Sequence, residues 1–134
     1  MKIILSIIFL FFFQDQPLLK KIKADADYLV YMDTQIRIRD GFRSKRFVFP
    51  PNAADLLKNE LKSVVEEQAW VDIFKKAGMV NAEEYVKLHF LTVTSMGKVL
   101  SKFNSELSKL PTEKKMELFM ELVKLPPAPI PDVY

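Results

Sequence analysis

The 134-residue chain has no cysteine, which excludes a disulfide framework, a thiolate metal site and a cysteine nucleophile. Its three glycines, Gly41, Gly78 and Gly97, stand far apart, so no glycine-rich loop exists to cradle a phosphate. His89 is the single histidine, which leaves no histidine pair for a metal or haem centre. No apolar run reaches the roughly 20 residues that a membrane-crossing helix needs. Most familiar catalytic kits are therefore absent, and no motif names a reaction. What is present, 49% hydrophobic and 28% charged residues, is the composition of one ordinary globular domain.

The longest apolar run is Ile3 to Phe13, eleven residues preceded by Met1-Lys2 and ended by Gln14-Asp15-Gln16-Pro17. That length falls in the ~7–15 residues of a secretory signal's hydrophobic region, and an unbroken apolar helix has no polar face to turn to solvent. Residues 1–13 therefore read as a signal peptide, with cleavage within 13–16. The alternative is an uncleaved amino-terminal anchor, because no small-x-small cleavage motif follows Phe13 and Ala24-x-Ala26 lies beyond Lys20, Lys21 and Lys23. Either form places the protein in a bacterial envelope or outside the cell, periplasmic or secreted, with no transmembrane helix left after cleavage. Removing residues 1–13 takes one cation, Lys2, from a net charge of +3 and leaves +2. Near-neutrality and compartment together argue against nucleic acid as a partner.

Residues 17–125 read as a helical domain. From Pro17, the residues Leu18, Leu19, Ile22, Ala26, Leu29, Val30 and Ile36 recur at helical spacing, and Gly41 is the expected stop, with Phe42 packing back on Ile36. A hairpin over 34–49 competes, because Ile36-Arg37-Ile38-Arg39 alternates and Asp40-Gly41 is a favoured turn. Asn52 is the expected cap of a second helix with Leu57, Leu61, Val64 and Val65 as its stripe. A short helix over 69–77 carries Trp70, Ile73, Phe74 and Ala77, and Gly78 closes it. Asn81-Ala82-Glu83-Glu84 has the form of a capping box and opens the longest helix. Its stripe is Tyr85, Leu88, Thr92, Met96, Val99, Phe103, Leu107 and Leu110, with Phe103 as the central anchor. Pro111-Thr112-Glu113 starts a last helix with Met116, Phe119, Met120 and Val123 inward, and Pro126-Pro127 stops it. The expectation is an all-α fold: a small antiparallel bundle of four main helices and one short one. The proline-rich segment 126–134 follows as an extended tail.

At Lys76-Ala77-Gly78-Met79-Val80-Asn81-Ala82-Glu83-Glu84-Tyr85 the sequence resembles a helix joint of uncharacterised small secreted all-helical bacterial proteins. The resemblance covers those ten residues. It implies a helical fold and a bacterial envelope, and it implies no activity.

Three pairs of carboxylates, Asp25-Asp27, Glu66-Glu67 and Glu83-Glu84, offer general acid–base chemistry, and a hydrolase-type enzyme using such a site in a cleft is the alternative function. Acids at helix starts and on solvated helix faces account for the same residues. His89, beside the Leu88 and Thr92 stripe, reads as a half-buried contact residue. No catalytic residue, metal ligand or cofactor is assigned. The feature that stands out is the mixing of cations and aromatics from Arg37 to Phe49. Arg37, Arg39, Phe42, Arg43, Lys45 and Arg46 are the candidate binding residues, since arginine pairs with phosphate or carboxylate while neighbouring rings enter a headgroup region or stack on a ligand. The function expected is that of an exported, non-catalytic module binding a protein partner or an amphipathic or anionic ligand, such as an anionic envelope surface, in the cell envelope or outside the cell.

Overall fold

The helical period that begins at Pro17 lasts two turns before it breaks. In the computed structural model, which describes residues 16–128, α1 is Gln16–Lys23 and α2 is Ala26–Arg43. A three-residue helix, α3 (Ala53–Asp55), runs into a π turn at Leu56–Glu60. Then come α4 (Glu67–Lys76), α5 (Ala82–Lys102), α6 (Asn104–Ser108) and α7 (Thr112–Val123). No strand occurs among the described residues, so the chain is all-helical over them. The apolar run Ile3–Phe13, the 13–16 cleavage region as far as Asp15, and the last prolines of the tail lie outside the described residues.

The break between α1 and α2 belongs to Asp25. Its backbone is extended (φ −71°, ψ 139°) and its carboxylate accepts a hydrogen bond from the Asp27 amide at 3.1 Å, an N-cap that satisfies a donor the new helix leaves unpaired. Lys102 Nζ, from the end of α5, reaches Asp25 at 2.6 Å and Asp27 at 3.1 Å and fixes the corner. The inward face of α2 is Tyr28, Tyr31 and Thr34; Leu29 and Val30, expected inside, are exposed.

Gly41 does not stop the helix. It lies buried within α2, which ends at Arg43, and the left-handed position of the stop is Lys45 (φ 63°), whose amide bonds the Phe42 carbonyl at 3.2 Å. The glycine is used for close approach, because the Phe47 ring folds back over it. Residues 34–49 are therefore a helix end followed by a loop, not a hairpin.

The second expected helix shrinks to α3 and the π turn. Asn52 makes no side-chain cap bond, Leu57 and Val65 are exposed, and the buried pair is Leu56 and Leu61, five residues apart. A Leu61 amide to Leu56 carbonyl bond of 2.9 Å closes that wider turn. Gly78, with φ 95°, ends α4 as expected. The capping box at 81–84 does not form: Asn81 is left-handed (φ 58°) and its side-chain Nδ2 donates to the Arg46 carbonyl at 3.0 Å instead. The long helix pauses at Phe103 (φ −104°, ψ 14°), which is half-buried, while Val99, with no exposure, is the anchor of that stretch. In α7 the buried residues are Leu118 and Leu122; Met116, Met120 and Val123 face outward and Phe119 is half-buried. Apolar residues cover a wider arc of α7 than the core does, so the pattern alone leaves its phase open.

α2 and α5 pack along their length and run antiparallel, as the pairs Asp25–Lys102, Thr34–Thr92 and Arg46–Glu84 require. Apolar side chains gather at both ends of this pair. One cluster holds Leu19, Ile22, Tyr28, Tyr31, Val99, Leu107, Leu118 and Leu122. The other holds Phe47, Leu61, Val71, Phe74, Met79, Ala82, Tyr85 and Val86. Between them Thr34, Thr92 and Ser95 are buried, with the two threonine hydroxyls 2.7 Å apart.

Candidate functional site

The 37–49 segment divides into side chains used by the fold and side chains left for solvent. Arg37 pairs with Asp33 one turn earlier at 2.9 Å. Arg39 contacts Asp40 at 3.0 Å and donates to the Pro126 carbonyl, holding the start of the tail against α2. Arg46 places Nε and Nη2 on one oxygen of Glu84, at 2.8 and 2.5 Å, and that carboxylate holds the guanidinium above its ordinary pKa. Phe42 is an inward residue: its ring centroid lies 4.7 Å from that of Phe49 and 5.6 Å from that of Tyr85. Phe47 is buried against the same tyrosine, 5.8 Å away.

Three of the six candidate residues, Arg37, Arg39 and Arg46, are thus committed to intramolecular partners, and Phe42 to the core. Arg43 and Lys45 are exposed and form no ion pair among the described residues. Beside them the chain leaves Val48 55% and Phe49 42% exposed. Val48 was missed by the sequence reading; it stands on the opposite side of this segment from the buried Phe47, while Phe49 keeps ring contacts with Phe42, Phe74 and Tyr85 and leaves the rest of its surface open. The loop is held on both flanks, by the Phe47 amide bonded to Gly41 at 3.0 Å and by the Arg46–Glu84 pair, so its two free cations and two exposed apolar groups occupy a fixed edge.

The carboxylate pairs are placed differently from a cleft. Asp25 and Asp27 meet only at Lys102, whose hydrogen bond holds the Asp25 carboxyl below its ordinary pKa. Glu83 pairs with Lys87 at 3.2 Å and Glu84 with Arg46, while Glu66 and Glu67 are exposed. A surface hollow of about 580 Å³ between Arg37, Lys75 and the start of α5 brings Glu83, Glu84 and Lys87 to its wall, so charges of both signs face it. His89 is half-buried and stacks on Trp70, with centroids 5.2 Å apart and planes at 17°. Burial lowers its pKa from the ordinary 6.5. Trp70 in turn donates Nε1–H to the Val64 carbonyl at 2.9 Å, so the stack ties the loop before α4 to α5. Among the described residues no group of three or more histidine or acidic side chains is arranged to hold a metal ion, and no helix is long and apolar enough to cross a membrane.

Comparison of the chain with protein-family models, with curated proteins and with solved structures finds no match.

Proposed function

We propose that this chain is an exported, non-catalytic antiparallel helical bundle that binds an anionic partner, a protein or an envelope surface, through the edge formed by Arg43, Lys45, Val48 and Phe49. The observation that carries the reading is the contrast within one segment: Arg37, Arg39 and Arg46 have acidic or carbonyl partners in the fold, whereas among the described residues Arg43 and Lys45 have none and stand beside exposed apolar groups. Cations of this kind attract over a distance that salt cuts to roughly 8 Å at physiological ionic strength, and neighbouring apolar groups add contact area once the surfaces meet.

Cosedimentation with anionic and neutral vesicles at low and high salt tests the surface. The expected result is binding of the parent to anionic vesicles at low salt, lost in an Arg43→Gln, Lys45→Gln variant and retained in Arg37→Gln, whose charge the fold already neutralises. Equal sedimentation of all three proteins under every condition would remove the surface from consideration. The mass of the native protein tests export: a chain beginning between residues 14 and 17 is expected, and an intact Met1 in a cytoplasmic fraction contradicts it.

A further inference from the structure

We infer that the outer face of α7 docks a basic amphipathic helix of a partner protein. This surface is separate from the 43–49 edge and does not depend on it. The inward side of α7 is Leu118 and Leu122, 4% and 0% exposed, and Phe119 lies at the border. Past the border Met116, Met120 and Val123 are 61%, 69% and 52% exposed. Their spacing of four and three sets them in one row, about 10 Å long at 1.5 Å per residue, with no element of the described chain over it.

Scattered exposed apolar residues need no explanation, but a row at helical spacing that continues a core stripe is the form a helix-binding surface takes. Two of its three members are methionines, whose unbranched, polarizable side chains adapt to a facing helix. Charge selects the occupant. Glu113, Glu117 and Glu121 stand four residues apart along one flank of the row, all exposed; among the described residues Glu117 meets Lys114, at 3.8 Å, and Glu121 shares a surface hollow with Lys23 and Lys124. An acidic flank repels an anionic lipid surface and attracts lysine and arginine. A helix with apolar residues at i, i+4 and i+7 and cations along one edge matches both the row and its flank.

The probe is a fluorescein-labelled 18-residue peptide of leucine and lysine only, patterned to give one apolar face, titrated into the purified chain by anisotropy. Saturable binding is expected. A peptide with glutamate for every lysine should fail to bind. Met116→Ser with Met120→Ser should weaken binding about tenfold or more while the thermal melt stays that of the parent, as expected when central apolar anchors are removed. Glu113→Gln with Glu121→Gln should weaken it at low salt and much less at high salt. Arg43→Gln with Lys45→Gln should leave it unchanged, so failure here and failure of the 43–49 reading are told apart. The inference is overturned if the methionine variant binds as the parent does or if the acidic peptide binds equally well. It is also overturned if sedimentation shows that the same two methionines hold two copies of this chain together, or if they hold it to anionic vesicles.

Discussion

A Cβ built on Gly41 lands 2.2 Å from Cδ2 of Phe47, whereas one built on Gly97 meets nothing within 4 Å. Both glycines are inside helices, where replacement by alanine is worth up to about 1 kcal/mol in backbone entropy. At Gly97 that gain stands alone, and Gly97→Ala should stabilise by about 0.5–1 kcal/mol. At Gly41 it competes with overpacking of about 1–3 kcal/mol, and Phe47, 2% exposed and enclosed by Phe42 and Tyr85, has little room to move. Gly41→Ala should therefore lower the urea midpoint, and equal shifts for the two variants would show that the Phe47 ring yields. His89 gives a pH dependence of definite sign. Burial lowers its pKa in the fold, so the unfolded chain takes up the proton first, as pH falls through the ordinary value of 6.5. The neutral imidazole's stabilising share is thus complete above that value and declines below it until the folded pKa is passed. His89→Phe keeps a ring on Trp70 without a titrating group, and its stability should be flatter than the parent's between about pH 7 and 5.

At the scale of the element, the π turn at 56–60 is the least regular piece of helix and the most open to a test. An α-helix aligns residues four apart, which would bring Glu60, not Leu61, under Leu56. One surplus residue in the turn lets both leucines bury, at 6% and 3% exposure. Deleting Lys58, which is exposed, leaves the two leucines four apart in ordinary helical register. The deletion should keep the helical circular dichroism and cost less than Leu61→Ala, for which about 2–5 kcal/mol is expected from a buried leucine. A deletion as costly as the truncation would show that the wider turn itself is required. Where an element carried its own signal, the sequence was sufficient: Gly78 ends α4, Pro111 precedes α7, and of the expected stripe Tyr85, Thr92, Val99 and Leu107 are buried while Leu88, Met96, Phe103 and Leu110 are half-buried. Where the decision depends on distant residues, it was not. The Asp25 corner is completed by Lys102, 77 residues on, and the Gly41 close approach by a ring folded back from the loop. The candidate site failed in the same way, because Arg46 reads as a free cation until Glu84, 38 residues away, is seen to hold it. α7 was misphased for a different reason: its apolar arc has two halves of similar character, and only packing selects which one turns inward.

On the scale of the molecule, the two apolar clusters have only α2 and α5 as long elements in common, and the layer between them is polar. Thr34 and Thr92 meet at 2.7 Å, Thr34 donates to the Tyr31 carbonyl at 2.8 Å, and Ser95 reaches the carbonyls of Leu91 and Thr92. Among the described residues no buried side-chain nitrogen or oxygen lacks a hydrogen-bond partner, so the layer's desolvation cost is offset by hydrogen bonds and leaves no unpaired group that would favour separation there. Melting of either cluster as far as this layer would open one side of it to water and expose these hydroxyls and the carbonyls they satisfy, which is the coupling expected between the clusters. Trp70, the chain's single tryptophan, packs on the cluster that contains Phe74, whereas Leu122 belongs to the other and has no exposure. Leu122→Ala should cost about 2–5 kcal/mol. If the fold is cooperative, that loss shifts the Trp70 fluorescence transition by the same amount as the far-ultraviolet circular dichroism transition, and the two curves superimpose in parent and variant alike. Met120→Ala, on the exposed face of the same helix, should stay within about 0.5 kcal/mol and serves as the control. A Trp70 transition that ignores Leu122→Ala would mean that the threonine layer divides the molecule into two independently unfolding halves. In that case α2 and α5 would each fray at the layer, and protection from hydrogen exchange would fall at Thr34 and Thr92 first. Coupled melting instead requires the amides there to exchange only with the whole.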